Sequence, residues 1–206
     1  EFRRVLFRSE TDGAAVVIDP GASAAGMVRH LQAAGTTPTA ILLTHAHLDH
    51  VEGIPTVRAA FPDVPIHLHP ADRPLYDAAV QQGAAFGYPM PDLPALDRVL
   101  TAGERISFGG ASLEVRHAPG HAPGHVIFYA PEAGVAFVGD VVFAGSIGRT
   151  DLPGGDFRTL IESIRREVLS LPPETRLLSG HGPETTVSVE SRHNPFLIPH
   201  VGGALA

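Results

Sequence analysis

The sequence predicts a mixed fold of helices and strands, of the α/β or α+β class. In the first third of the chain, short apolar runs rich in β-branched residues alternate with segments of helical periodicity. Further along, pairs of apolar runs are separated by Gly- or Pro-containing turns, which is typical of β-hairpins. With 206 residues and 44% hydrophobic content, the chain can form one substantial core. We therefore expect a single domain over residues 1–206.

The first half of the sequence predicts an alternation of strands and helices. In order, these elements are a strand over 14–19, a helix over 23–35, a strand over 39–43, a helix over 51–61 and a strand over 65–68. Asp19-Pro20-Gly21 is expected to end the first strand in a turn, and Ser23 to cap the helix that follows. From Pro70 to Leu96, prolines and glycines predict one helix with long surface loops, which we interpret as a lid-like insertion (residues 70–96).

The second half of the sequence predicts hairpins and one long helix. The predicted strands are 105–108, 112–116, 126–129, 135–138 and, near the end, 176–178. Gly109-Gly110 separates the first two strands, and a turn with Pro131 separates the next two. Apolar residues at helical spacing predict a helix over 157–171.

Composition excludes several classes of protein. A net charge of −7 disfavours nucleic acid as a partner. No apolar run approaches the ~20 residues that a membrane-spanning helix needs, so we expect no membrane association. The chain has no cysteine, which excludes disulfides and thiolate metal ligands and fits a cytoplasmic protein. The sequence leaves a homo-oligomer open.

The N-terminal segment, residues 1–9, differs from the rest of the sequence. It begins without methionine and is rich in arginine. It lacks the apolar core and cleavage site of a secretory signal. We interpret it as a foreign or truncated start, and the alternative is an amphipathic first strand.

Seven of the 12 histidines fall in three short places, each directly after a predicted strand. These are His45, His47 and His50, then His117, His121 and His125, and finally His181. Strand ends present ligands to a shared crevice in sheet proteins. This placement predicts a common site.

The run Thr44 to His50 has a spacing that suits metal binding. On an extended backbone His45 and His47 point the same way and can share one metal. The turn into the next helix directs Asp49 and His50 to a second point, and two metals about 3.5–4 Å apart can share one hydroxide. For this composition, His-x-His-x-Asp-His is expected by chance only about 0.002 times.

This run resembles the signature of the metallo-β-lactamase superfamily. The chain looks like the glyoxalase II (hydroxyacylglutathione hydrolase) branch, in its short bacterial form. The matching segments are 19–21, 44–50, 118–121 with 124–125, 139–140, 145–151, 180–183 and 194–196. The resemblance implies an αββα sandwich of two mixed sheets flanked by helices.

The resemblance also implies a ligand set. The first metal would be held by His45, His47 and His121, the second by Asp49, His50 and His181, with Asp140 bridging the two. Asp49 and Asp140 would also be the catalytic carboxylates. Imidazole and carboxylate suit two divalent ions, zinc first, with iron or manganese as alternatives.

Other members of the superfamily fit less well. β-Lactamases with a cysteine ligand are excluded by the missing cysteine, and typical β-lactamases lack the carboxylate at Asp140. Flavodiiron proteins have a carboxylate where His47 stands. The RNA-processing nucleases are longer and carry a substrate-binding extension.

Several polar residues near the run can have a purely structural role instead of a functional one. His117 and His125 are expected to orient ligands rather than to bind metal. Arg149 is either a surface charge, paired with Asp151 or Asp156, or a substrate-binding residue. Asp19 is expected to orient a ligand or to cap the next helix.

The function implied by the resemblance is hydrolysis of a small-molecule thioester, S-lactoylglutathione or another S-2-hydroxyacylglutathione, to a hydroxy acid and a thiol. Two alternatives stay open. A persulfide dioxygenase shares a segment like Gly148 to Asp151 and uses one iron. A non-catalytic metal-binding protein would keep the ligands without the activity.

Overall fold

A computed structural model describes residues 5–9 and 12–198 of the chain. The predicted foreign start therefore lies partly outside the described residues. Its last part forms a strand, Val5–Arg8, which pairs antiparallel with the next strand of the chain. Among the described residues, no helix combines the length and apolarity needed to cross a bilayer.

A five-stranded sheet forms the N-terminal layer. Its strands are β1 (Val5–Arg8), β2 (Ala15–Ile18), β3 (Pro38–Leu42), β4 (Ile66–Leu68) and β5 (Arg98–Val99), in that spatial order. All pairs except β1–β2 are parallel. Helical connections link the parallel strands, as parallel pairing requires. These helices are α1 (Ala24–Ala33), α2 (Leu48–Val51), α3 (Ile54–Ala60) and α4 (Arg73–Ala85).

A six-stranded sheet forms the second layer. Its strands are β6 (Arg105–Phe108), β7 (Ala111–His117), β8 (Val126–Ala130), β9 (Val135–Gly139), β12 (Arg176–Ser179) and β13 (Thr185–Thr186). The spatial order is β13-β12-β9-β8-β7-β6, and only β9–β12 is parallel. A small ribbon of β10 (Val142–Phe143) and β11 (Ser146–Ile147) follows β9. Helices α5 (Phe157–Ser163) and α6 (Val187–His193) complete the chain.

Three apolar layers hold this arrangement together. Val16 and Ile18 of β2 pack with Phe128 and Phe137 of the second sheet, between the two sheets. Val17 points the other way, into a core shared with α1, α3 and α4. The outer face of the second sheet packs on α5. The fold is thus the αββα sandwich of two mixed sheets that the resemblance implied.

Some predicted elements differ in detail. Ser23 stands at the N-cap position of α1, but its side chain makes no capping hydrogen bond. The helix predicted over 51–61 is interrupted between α2 and α3, because Gly53 contacts the turn after β2. The Gly53 N–H donates to the Pro20 carbonyl at 2.7 Å. A Cβ on Gly53 would lie 2.2 Å from the Gly21 carbonyl oxygen. The helix predicted over 157–171 is α-helical only to Ser163 and continues as a π-helix over Ile164–Val168.

The predicted insertion at 70–96 contains a 3₁₀ turn, Pro70–Asp72, followed by α4. No regular element lies between α4 and β5 in the described chain. This agrees with the expected helix and loop. Its role as a lid stays a prediction.

Candidate metal centre

Every predicted metal ligand follows the end of a strand on one edge of the sandwich. The run from Thr44 follows β3, and α2 begins at Leu48 within it. The other three ligands come from the second sheet: His121 from the β7–β8 loop, Asp140 directly after β9, and His181 after β12. The parallel pairing of β9 and β12 brings Asp140 and His181 to the same edge.

The first cluster contains His45, His47 and His121. One ligand nitrogen from each lies within 4.8 Å of the other two. His47 Nδ1 and His121 Nε2 are 2.9 Å apart, a distance at which two imidazole nitrogens share a proton or face one cation. The sequence prediction that these side chains converge is therefore matched by the geometry.

The second cluster contains Asp49, His50 and His181, whose ligand atoms also lie within 4.8 Å of one another. His181 Nε2 is 3.1 Å from Asp49 Oδ2, and His50 Nε2 is 3.5 Å from the same oxygen. This group combines a carboxylate with two imidazoles, which suits a divalent cation of borderline softness.

Asp140 lies between the two clusters. Its Oδ1 is 3.4 Å from His50 Nε2. Its Oδ2 is 3.7 Å from His121 Nε2 and 3.4 Å from His181 Nε2. One carboxylate thus faces members of both clusters, which is the arrangement that a bridging ligand needs.

The tautomers of three histidines fit metal binding. Thr44 Oγ1 donates to Asp19 Oδ2 at 2.6 Å, so it can accept from His45 Nδ1 at 3.0 Å. Two further Nδ1 atoms meet an acceptor in the same way: His50 meets Asp19 Oδ2 at 3.0 Å, and His121 meets the Arg149 carbonyl at 2.8 Å. With the proton fixed on Nδ1, each Nε2 keeps its lone pair for a metal.

Buried atoms without hydrogen-bond partners mark the same place. They include His45 Nε2, His50 Nε2 and Asp140 Oδ1. Unsatisfied buried polar atoms are costly, so a cluster of them calls for a missing partner. Cations held by the two clusters would give these atoms partners, and the residues present therefore fit a metal.

The pKa shifts show which of these side chains are neutral and which are charged in the metal-free chain. Burial, and next the neighbouring His121, lower the pKa of His47 to about 4, which keeps that imidazole neutral. Hydrogen bonds to Asp140 and then Asp49 raise the pKa of His181 to about 9. Despite its burial, Asp140 has a pKa held well below its usual range by His50 and His181. In the metal-free chain, protonated histidine therefore balances the negative charge of the aspartates.

Two glycines let the backbone approach this site. A Cβ at Gly148 would lie 1.9 Å from the Asp140 carbonyl oxygen. At Gly180, a Cβ would lie 2.4 Å from Asp140 Oδ1 and 2.7 Å from His50 Cε1. Any larger residue at either position would push Asp140 away from its neighbours.

A cleft of about 440 Å³ opens onto the clusters. Five of the predicted metal ligands line it: His47, Asp49, His121, Asp140 and His181. The other lining residues are Leu48, Leu75, Gln82, Phe86, Arg149, Leu152 and Pro153. Most of these other residues are apolar. Phe86, which follows α4, is 76% exposed and free to contact a bound molecule.

Arg149 pairs with Asp151, through bonds of 2.7 and 2.8 Å, and both side chains are largely exposed. Asp156 instead caps α5 by accepting from the Thr159 N–H at 2.7 Å. The backbone of Arg149 orients His121. A substrate-binding role for its side chain stays a prediction.

The supporting residues agree in part with expectation. Asp19 orients His50, and its φ of +47° is rare for a residue other than glycine. His125 Nε2 accepts from the Asp140 N–H at 3.0 Å, and His117 meets the Pro123 carbonyl at 3.0 Å. Asp72, a buried carboxylate that contacts two of the ligand loops, was not predicted from the sequence. No local motif marks it.

A sandwich of two sheets with histidine and aspartate clusters at one edge defines a protein of αββα architecture able to form a metal site. The chain belongs to the metallo-β-lactamase superfamily, whose family model matches residues 5–181.

Curated relatives share most of this chain. It is 41% identical to the probable metallo-hydrolase YqgX of Bacillus subtilis, over 91% of this chain and 89% of the relative. It is 40% identical to the hydroxyacylglutathione hydrolase GloC of Haemophilus influenzae, over 89% of this chain and 87% of the relative.

Solved structures give the same fold. TTHA1623 in a di-iron-bound form is 47% identical, with a TM-score of 0.85 over 94% of each chain. The BLEG-1 B3 metallo-β-lactamase is 38% identical, with a TM-score of 0.87 over 97% of this chain and 100% of that one. ETHE1 from Myxococcus xanthus is 22% identical, with a TM-score of 0.75 over 95% of this chain and 83% of that one, which supports the fold alone.

Proposed function

We propose that this protein is a dinuclear metal-dependent thioesterase that hydrolyses S-2-hydroxyacylglutathiones, with S-lactoylglutathione as the reference substrate. The observation that carries the proposal is the position of Asp140, whose two oxygens face both ligand clusters and which lines the cleft. The similarity to a hydroxyacylglutathione hydrolase over most of both chains supports the substrate class.

In this proposal His45, His47 and His121 would hold one divalent ion, Asp49, His50 and His181 would hold the other, and Asp140 would be shared by the two. The chemistry supplied there would be a lowered pKa of bound water and polarisation of the substrate carbonyl. Zinc is the expected metal, and the di-iron form of a 47% identical protein makes iron the alternative.

The chain's own residues supply position and charge. Asp19 and the Arg149 carbonyl hold the Nδ1 protons of His50 and His121, which fixes the rings. Asp49, one third exposed, lies at the cleft and can accept a proton from an attacking water. A thiolate leaving group needs little assistance, so no serine or cysteine nucleophile is required.

The cleft walls suit a thioester of moderate size. Leu75, Phe86 and Leu152 offer apolar surface for the carbon skeleton. Arg149 also lines the cleft and pairs with Asp151. A substrate carboxylate that displaced Asp151 would form an ion pair with the Arg149 guanidinium.

A substrate panel with reconstituted protein tests this proposal. Metal-free protein would be loaded with zinc or with iron and offered four compounds: S-lactoylglutathione, a neutral thioester, a chromogenic cephalosporin, and glutathione persulfide with oxygen uptake recorded. We expect two metals per chain and the highest kcat/KM with S-lactoylglutathione. One iron per chain with oxygen uptake and no thioester cleavage would establish the dioxygenase instead.

The cephalosporin is included because of the 38% identical B3 metallo-β-lactamase. A β-lactam and a thioester share an acyl carbon open to attack by water, so the same cleft could accept either. Faster cephalosporin turnover than thioester turnover would assign the protein to the β-lactamases and contradict the proposed substrate.

A further inference from the structure

The Asp72 carboxylate is fully buried and occupies an unusual place. Asp72 stands at the N-cap position of α4, where an aspartate ordinarily accepts a hydrogen bond from its own helix. Its side chain makes no such bond. The carboxylate is turned into the protein interior instead, and the residue is 0% exposed.

Both carboxylate oxygens bind backbone N–H groups of loops that carry metal-site residues. Oδ2 accepts from the Ala46 N–H at 3.0 Å, and Ala46 lies between His45 and His47. Oδ1 accepts from the Gly124 N–H at 2.5 Å, in the loop that carries His121. These two loops belong to different sheets, so one side chain connects the two halves of the first ligand cluster.

Gly124 is adapted to this contact. A Cβ at that position would lie 2.6 Å from the Asp72 backbone nitrogen and 2.9 Å from Oδ1. The close approach therefore requires glycine. Asp72 directly precedes α4, and α4 contributes Leu75 and Gln82 to the cleft. Asp72 therefore also fixes this part of the cleft relative to the ligand loops.

We propose that Asp72 is a positioning residue for the first metal, the one held by His45, His47 and His121: it sets the distance between the loops that carry these ligands and it binds no metal itself. The inference rests on the proposed metal centre and is independent of the substrate.

The test is metal titration of the metal-free full chain with Co²⁺, followed by visible absorption and by competition with a chelator. Asp72→Asn keeps the volume but places an NH₂ group against one of the two N–H donors. We expect the dissociation constant of one of two Co²⁺ ions to rise about 10- to 100-fold, as is common when support of a metal ligand is lost. The other ion should bind as in the wild type.

Two controls separate positioning from general destabilisation. Asp77→Asn changes an exposed aspartate of the same helix, paired with Arg73, and should leave both dissociation constants unchanged. Val28→Ala removes buried volume on α1, outside the loops that carry the ligands, and should lower thermal stability without weakening Co²⁺ binding.

A second variant protects the test against misfolding of Asp72→Asn. Gly124→Ala keeps the carboxylate and disturbs the same contact from the other loop, so it should weaken the same ion. Wild-type affinity for both ions in Asp72→Asn, or in Gly124→Ala if the first variant does not fold, would overturn the inference. Failure of the wild type to bind two Co²⁺ ions would instead refute the metal centre of the proposed function.

Discussion

His125 Nε2 accepts a hydrogen bond from the backbone N–H of Asp140 at 3.0 Å, and both residues are buried. The bond crosses from the start of β8 to the end of β9. The ring of His125 also stacks on that of His45, with centroids 4.7 Å apart. His125 therefore supports a histidine of the first cluster and the carboxylate between the two clusters, and it does not line the cleft.

Replacing His125 tests this support. His125→Leu removes the acceptor and leaves the Asp140 N–H buried without a partner, which costs about 1–3 kcal/mol of folding free energy. His125→Gln can place its Oε1 near the former Nε2 position and should lose less stability and less activity. Urea unfolding of the metal-free proteins and kcat of the loaded ones measure both effects. Equal losses in the two variants would mean that only the ring packing matters.

Chelation should destabilise the protein. Without metal, Asp49 and Asp140 depend on protonated His50 and His181 for charge balance. Saturating metal at 100 times its dissociation constant adds about 2.7 kcal/mol of stability. We expect Tm to fall with a chelator, to recover with zinc or iron, and to respond much less in Asp140→Asn. An unchanged wild-type Tm would argue against a metal at this site.

Four of the seven ligands could be predicted from local spacing. His45, His47, Asp49 and His50 lie within six positions, where strand and helix geometry alone decides their direction. His121 and His181 were singled out as histidines that follow predicted strands, but their places in the ligand set, and the role of Asp140, came only from the resemblance. Their convergence depends on the pairing of β7 to β12, which no local pattern encodes.

Other features depend on contacts between distant segments. Asp72 binds residues 26 and 52 positions away. The sequence around it therefore indicates only an ordinary helix start. Gly53 divides a predicted helix because it touches the turn at Pro20, which helical periodicity cannot show. The short strands β5, β10, β11 and β13 have two residues each and form only through their partners.

Two glycine substitutions should have opposite effects. In Gly180→Ala the new Cβ meets Asp140 and His50 well inside contact distance, so we expect a loss of about 1–3 kcal/mol and a large fall in kcat. Gly26 lies on the exposed side of α1, and a Cβ there would be 3.7 Å from Nη2 of Arg29 in the same helix. Gly26→Ala should therefore raise the free energy of unfolding by about 0.5–1 kcal/mol with activity intact. Thermal unfolding and steady-state kinetics of both variants compare them directly, and a neutral Gly180→Ala would contradict the crowding at Asp140.

The proposed role of Arg149 predicts a selective change in KM. Arg149→Gln should raise KM for an anionic glutathione thioester several-fold and leave KM for a neutral thioester unchanged. Because His121 is held by the backbone of residue 149, kcat should change little. Arg158→Gln, an exposed arginine outside the cleft, is the matched control. A rise in KM for both substrates would remove the case for recognition of substrate charge.

His69 provides a pH dependence that is separate from the metal centre. Its ring stacks on His117 with centroids 4.2 Å apart, and burial followed by His117 lowers its pKa to about 4 from 6.5. Between these two pH values the imidazole is protonated in the unfolded chain but neutral in the folded chain. The free energy of unfolding is therefore highest above pH 6.5 and decreases as the pH falls. His69→Asn removes this titration while an amide oxygen can still accept from the Ala71 N–H. Urea unfolding of both metal-free proteins at pH 7.5 and pH 5 should show the wild type losing more stability on acidification, because every other titrating group is common to the two. Parallel losses would show that the His69 pKa is not lowered in the folded protein.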